Sequence, residues 1–186
     1  MIVVGCIVLG ILLRAASGRS LSDLSKVRLR GEPALLGLLL IQVALPLLRL
    51  TGTPARLAFW VWIATFPLLV WSAWANRQHA GMSVLAVGLT LNFVVIALNG
   101  GMPVFPEAVV AVSSAARSGA IPVGDFVHVV GSAATRLPWL ADAIPLPGPS
   151  WLRQVPSGGD LLLYVGVASF IAGVVPPAVR SGSGTK

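Results

Sequence analysis

Charge is scarce in this sequence. Asp, Glu, Lys and Arg make up only 10% of its 186 residues while 56% are hydrophobic, against about 25% charged in an ordinary soluble domain. With a mean hydropathy of +0.89, the chain suits a bilayer rather than water. Acid is scarcer than base, six residues against thirteen, leaving a formal charge of +7. The excess does not read as a nucleic-acid surface, because Lys and Arg stand singly at the ends of apolar runs and no basic face is interleaved with aromatics. No nucleic-acid partner is expected, and the positive charge serves membrane orientation.

Other absences narrow the chemistry. Cys6 is the one cysteine, so no disulfide or cysteine-based metal site forms within a single chain. His79 and His128 are the two histidines, too few for a tetrahedral zinc site, and neither a metal nor a cofactor is expected. No G-x-S-x-G elbow surrounds any serine, so Ser132, His128 and Asp142 do not amount to a hydrolase triad and no enzyme is expected. The GSGTK at 182–186 lacks the preceding strand, the full spacing and the following helix of a phosphate-binding loop. No Lys or Arg precedes the apolar run at 2–13, whereas Arg14, Arg19, Lys26, Arg28 and Arg30 follow it, the pattern of a retained segment rather than a cleaved signal. No charged residue lies deep in any apolar run, which argues against an ion or proton carrier.

What remains is helix. Crossing a bilayer takes about 20 mostly apolar residues, and five runs are candidates: 1–16, 33–48, 57–75, 81–98 and 161–179. The expected fold is therefore an all-α polytopic membrane bundle of about five transmembrane helices, forming one domain. A Pro/Gly-rich outer segment at 99–159 and a short tail at 180–186 complete it. The first two runs are short, and Arg14 is expected to snorkel toward the headgroups. Basic loop residues are retained on the cytoplasmic side. The five between Arg14 and Arg30 outweigh Arg49 and Arg56, which puts the N-terminus outside, the C-terminus in the cytoplasm and 99–159 on the outer face. Leu21, Leu24 and Val27, among basic residues, read either as a short amphipathic turn against the inner leaflet or as an irregular loop with incidental leucines.

The stretch LNGGMPVFPEA, beginning at Leu98, is the sharpest local signal. Asn99, Gly100 and Gly101 tolerate the left-handed conformation that ends a helix, and Pro103 forces Met102 out of it. Pro106 and Glu107 then suit the start of an outer amphipathic helix, with Val109, Val112 and Ala116 on one stripe and Arg117 and Gly119 closing it. Asn92 and Asn99 lie seven residues apart on one helical face, a polar stripe expected to turn inward toward Gln42 or Thr65. In the outer segment Trp139 and Trp151 suit the headgroup zone. His128 with Asp125, or Arg136 with Asp142, are candidate polar pairs, and Asp160 or Ser157 is expected to cap the last helix. Ala168, Ser169, Ala172 and Gly173 are its expected close-packed face.

These residues carry a resemblance. NGGMPV at Asn99, Gly100, Gly101, Met102, Pro103 and Val104, then His128, TRLPWLADAIPLP with Arg136 and Asp142, and Ser157, Gly159 and Asp160 resemble a family of small bacterial integral membrane proteins known only as a domain of unknown function. Ala141 stands where that family more often has glycine. The resemblance implies a bacterial plasma-membrane location and assigns no activity. Two function classes follow from the residues. One is a binding or scaffold-type protein whose outer segment docks a partner or lipid through His128, Arg136 and Asp142. The other is a small transporter or transporter subunit, motivated by Asn92 and the broken helix end; a lipid-modifying enzyme is a remote third. Membrane lipids, and a membrane-protein partner or a second copy, are the partners implied.

Overall fold

A computed structural model describes residues 2–48, 50–112, 126–148 and 153–173. It is mostly helical. Helix α1 spans Ile2–Ala16, α2 Glu32–Leu47, α3 Gly52–Ala75, α4 Met82–Asn99, the short α5 Pro106–Val112 and α6 Gly158–Ala172. Two strands, β1 (Met102–Val104) and β2 (His128–Val130), correct the all-α expectation. They pair in parallel, Met102 opposite His128 and Val104 opposite Val130. The physical reason lies in Pro103, which holds its neighbours extended, so the N–H and C=O groups of 102 and 104 must find partners in another segment.

By length and apolarity two helices, α3 with 24 residues and α4 with 18, can cross a membrane. The expected five reduce to these two on that criterion, because α1, α2 and α6 have 15, 16 and 15 residues. Helix α3 starts earlier than expected because Thr51 enters it in extended conformation and Pro54 sits in its first turn. Helix α6 ends at Ala172 because Gly173 turns left-handed, at φ 62°. The expected extension to 179, the tail, Arg49, Trp151, Asp125 and the end of the outer helix at Ala116, Arg117 and Gly119 lie outside the described residues.

The bundle is built by tight connections. Helices α3 and α4 are joined by the turn at 76–81 and lie side by side, with Trp62, Ile63 and Phe66 of α3 packed on Val95 and Ile96 of α4. Met102 and Val127 extend that core into the sheet. Helix α6 runs antiparallel to α4 through glycines seven residues apart on each. A Cβ at Gly88 would lie 2.8 Å from the Gly159 carbonyl oxygen, and one at Gly166 would lie 2.6 Å from Leu85 Cγ. The expected small-residue face of α6 is thus divided. Ala168 and Ala172 are buried, with Ala168 against Gly10 of α1, Gly173 is the helix cap, and the closest approach uses Gly159 and Gly166.

One end of the bundle gathers the basic residues. Arg14 does not snorkel: it is buried, donating through Nε to Ser20 O at 2.9 Å and through Nη1 to Ile171 O at 3.1 Å. Arg19 donates to Gly173 O. Both supply donors that the last carbonyls of α6 lack within the helix. The turn at Leu21–Lys26 forms as a 3-10 helix with Ser20 as its cap. Asp23 there pairs with Lys26 at 2.8 Å, a hydrogen bond that holds its carboxyl below the usual value.

Candidate functional site

The glycine turn is a clamp. Helix α4 ends at Asn99 as its sequence requires, and Gly100 is left-handed at φ 72°. The Asn99 side chain donates to Val95 O at 2.8 Å and to Arg136 O at 2.9 Å, and its Oδ1 accepts the Arg136 N–H at 2.9 Å. At Gly101 a Cβ would come within 2.7 Å of Val129 Cγ1, so only glycine lets β2 dock. Strand β1 then bonds on both edges: Met102 N–H to Val127 O on one, Asp142 N–H to Pro103 O at 2.8 Å and Phe105 N–H to Asp142 O at 3.2 Å on the other. Asn99, Gly100, Gly101, Met102 and Pro103 therefore fix the outer segment in place.

That pairing buries Asp142, which is 8% exposed. Its Oδ2 lies 3.9 Å from His128 Nε2, a contact rather than a hydrogen bond, and its Oδ1 has no partner. Burial, and secondarily the negative charge of Asp160, push the Asp142 carboxyl up to about 8. It is therefore protonated at neutral pH, and the acid it holds there is neutral. The expected pair of Arg136 with Asp142 does not form: the Arg136 main chain is held by Asn99 while its residue is exposed, beside the exposed Trp139. Of the three residues expected to dock a partner, His128 and Asp142 lie together at the sheet and Arg136 is exposed. Ser132 is exposed, its Oγ accepting the Ala134 N–H.

Below the sheet sits a second polar group. Asn92 Nδ2 donates to Asp160 Oδ1 at 2.7 Å, Ser157 Oγ donates to Asn92 Oδ1 at 3.0 Å, and Ser157 and Asp160 complete a reciprocal capping box at the start of α6. Ser157 is fully buried. The stripe thus turns inward but not toward its expected partners. Gln42 instead bonds Thr65 Oγ1 at 2.5 Å and exchanges bonds with Trp62, tying α2 to α3. Asn92 lies seven residues before the end of α4, so α6 begins about 10 Å below that end.

Beside this network opens an apolar hollow of about 560 Å³, between α2 and the other helices. Leu39, Leu69, Leu85 and Leu163 line it, with Asp160 and Tyr164 toward one end and Asn76 toward the other. A second hollow of about 350 Å³ lies across the α2–α3 contact, sharing Leu35 and Ser72. No residue of α2 is buried and a Cβ at its Gly37 would meet nothing within 4 Å, so α2 leans loosely on α3. Among the described residues no cluster of three metal-ligating side chains occurs.

The profile of the family of unknown function DUF5317 matches residues 26–172. The chain belongs to DUF5317. The DUF5317 match takes in both hollows, the glycine turn and the Asn92 network, and leaves α1 outside. An uncharacterized protein of Thermotoga maritima is 31% identical over 123 residues, covering 64% of this chain and 63% of that protein. The chain therefore spans less than two thirds of that relative. No solved structure matches it.

Sequence reasoning finds the glycine turn, His128, Asp142, Asn92 and Asp160 and misses Ser157 as a partner of Asn92, Asn76 and the hollows. Ser157 is legible as a cap but not as a donor across 65 residues. The hollows have no local signal, since they arise from how loosely one apolar helix leans on another.

Proposed function

We infer that this member of DUF5317 is a multi-pass protein of the bacterial plasma membrane that binds lipid, taking acyl chain into the hollow between α2 and the remaining helices. The observation that carries the reading is the hollow itself. Its volume of about 560 Å³ falls within the range of about 300–1,000 Å³ usual for small-molecule sites, and half of its lining residues are leucines. A membrane setting is supported by the exposed apolar side chains: Leu40 is 68% exposed, Leu47 73% and Trp71 68%, the kind of exposed apolar surface that suits lipid contact. In this reading α1, α2, α4, α6 and α3 all lie within the bilayer, the shorter three reaching its faces through Arg14 and the capped ends. The basic end is cytoplasmic and the sheet covers the outer end, with Trp139 and Arg136 at headgroup level.

Two experiments test this. Cells fed photoactivatable fatty acid should give crosslinks concentrated at Leu39, Leu69, Leu85 and Leu163; crosslinks spread equally over Leu40 and Leu47 would mean only bulk lipid contact. For orientation, a Ser132→Cys variant in a Cys6→Ser background should react with an impermeant maleimide in intact cells, and protection until the cells are opened would reverse the topology.

A second reading, a small transporter or a subunit of one, is favoured by the recessed start of α6. Irregular backbone at Pro156 and Ser157 lies well below the outer end of α4, next to the Asp160 carboxylate, as in interrupted helices that meet a substrate. Reconstituted vesicles that pass no substrate of a broad panel would remove it for the protein acting alone.

A further inference from the structure

At the basic end a third hollow, about 410 Å³, is bounded by Arg30, Ala75, Arg77 and Gln78. Its lining residues are chain neighbours of residues that line both apolar hollows: Gly31 lines one of them, and Leu29 with Asn76 the other. The two arginines come from different loops and are brought together by Asn76, which is 1% exposed. Its Oδ1 accepts the Arg30 N–H at 2.7 Å, and its Nδ2 donates to Arg30 O at 3.2 Å. The clamp holds main chain, and among the described residues the Arg30 guanidinium makes no hydrogen bond or ion pair. Arg77 lies over the Trp74 ring at 5.1 Å and spends one N–H on Trp74 O, at 3.1 Å. Among the described residues neither arginine meets a carboxylate, whereas Arg14 and Lys26 share Asp23.

We propose that this end binds the phosphate of an anionic two-chain phospholipid, with Arg30 and Arg77 on the phosphate and one acyl chain in each apolar hollow flanking α2. Two unneutralised guanidiniums around an open hollow complement a phosphate, whose oxygens match their forked donors. The two leucine-lined hollows leading away from it select a lipid over a free anion. Their number, separated by Leu35 and Ser72, selects two chains over one. The inference rests on the lipid-binding reading above and adds headgroup charge and chain number.

The test uses the full chain in mild detergent with native mass spectrometry, titrating phosphatidylglycerol, diacylglycerol with the same chains, lysophosphatidylglycerol and glycerol phosphate. Phosphatidylglycerol is expected to bind one to one and more tightly than the other three. Arg30→Gln and Arg77→Gln should each weaken it about fivefold, the usual worth of one basic residue near an anionic lipid, and leave diacylglycerol unchanged. Both positions are exposed, so the variants should fold, and the ligand comparison in the parent chain needs no variant. Equal binding of phosphatidylglycerol and diacylglycerol overturns the headgroup assignment while leaving the hollow as a chain site. Equal binding of the lysolipid overturns the two-chain assignment. Glycerol phosphate binding as tightly as the lipid makes it a soluble-anion site. Failure of every chain-bearing ligand to bind, with Leu35→Trp changing nothing, overturns the lipid-binding reading as well.

Discussion

Asp142→Asn should remove a pH-dependent weakness from the fold. The carboxyl is raised to about 8 by burial first and by Asp160 second, whereas in the unfolded chain it titrates near the ordinary aspartate value of 3.8. Below 3.8 both states hold the proton and the buried acid contributes its full stability. As pH rises toward 8 the unfolded chain releases a proton that the folded chain keeps, so stability falls across that window and levels off above it. At about 1.4 kcal/mol per pH unit, the loss accumulated by about pH 7 is about 4 kcal/mol. This is an upper figure, because water reaching a side chain that is 12% exposed softens the penalty. For a chain of this size it corresponds to about 10 °C in unfolding temperature. Thermal unfolding in detergent between about pH 5 and pH 8 is the assay. The parent should lose stability steadily, while the amide variant, of the same shape and without a titrating proton, should give a flatter profile and be the more stable of the two at the alkaline end. His128 and Asp160 face this position in both proteins, so whatever slope they add appears in each. An Asp142→Asn protein that loses stability as steeply as the parent would refute the reasoning.

Three further outcomes follow from packing and capping. Gly88→Leu should force α4 and α6 apart and lower stability by about 1–3 kcal/mol, whereas Gly5→Leu, with nothing within 4 Å of its Cβ position, should be neutral; equal thermal shifts for the two would sink the account of the glycine seam. Asn99→Ala should remove three hydrogen bonds and weaken the cover by about 1–3 kcal/mol, read as faster limited proteolysis between 126 and 148 with the helices intact. Ser157→Ala should cost about 0.5–2 kcal/mol as a lost cap, and more than Ser20→Ala at the exposed 3-10 turn, measured by the same thermal assay.

The helices are legible because their information is local. Asn99 and Gly100 end α4 within the stretch that announces them, and Ser157 with Asp160 begins α6 in the same way. Lengths are less legible. Gly173 closes α6 by its left-handed backbone, a local signal, but the donors that Arg14 and Arg19, over 150 residues away, supply to the last carbonyls are encoded by nothing near it. The sheet is half legible: Pro103 promises extended backbone, but its partner at Val127 to Val130 comes from a stretch with no strand pattern of its own. At the site, the sequence marks Asn92 as an inward-facing amide but misassigns its partner, because Gln42, Thr65 and Ser157 are equivalent candidates until tertiary packing orders the helices. Sequence proximity pairs Arg136 with Asp142; the chain turns between them, at Leu137 with its positive φ of 54°, and sends the two side chains to different environments.

The two long helices end in the same device at opposite ends of the molecule. Asn76 caps α3 and bonds Ser72 O, four residues back, at 2.9 Å while gripping the main chain of Arg30; Asn99 closes α4 and bonds Val95 O, four residues back, at 2.8 Å while gripping the main chain of Arg136. Each amide adds a second donor to a helix-end carbonyl four residues back and staples on a segment distant in sequence. Each stapled residue is an exposed arginine. On the membrane reading proposed above, one guanidinium would lie toward each face, with exposed apolar side chains of α2 and α3 between them. Because both clamps hold only backbone atoms, either arginine can be neutralised without loosening the fold. Position and charge are therefore separable here: the asparagines set where the segments lie, and the arginines decide what those segments meet.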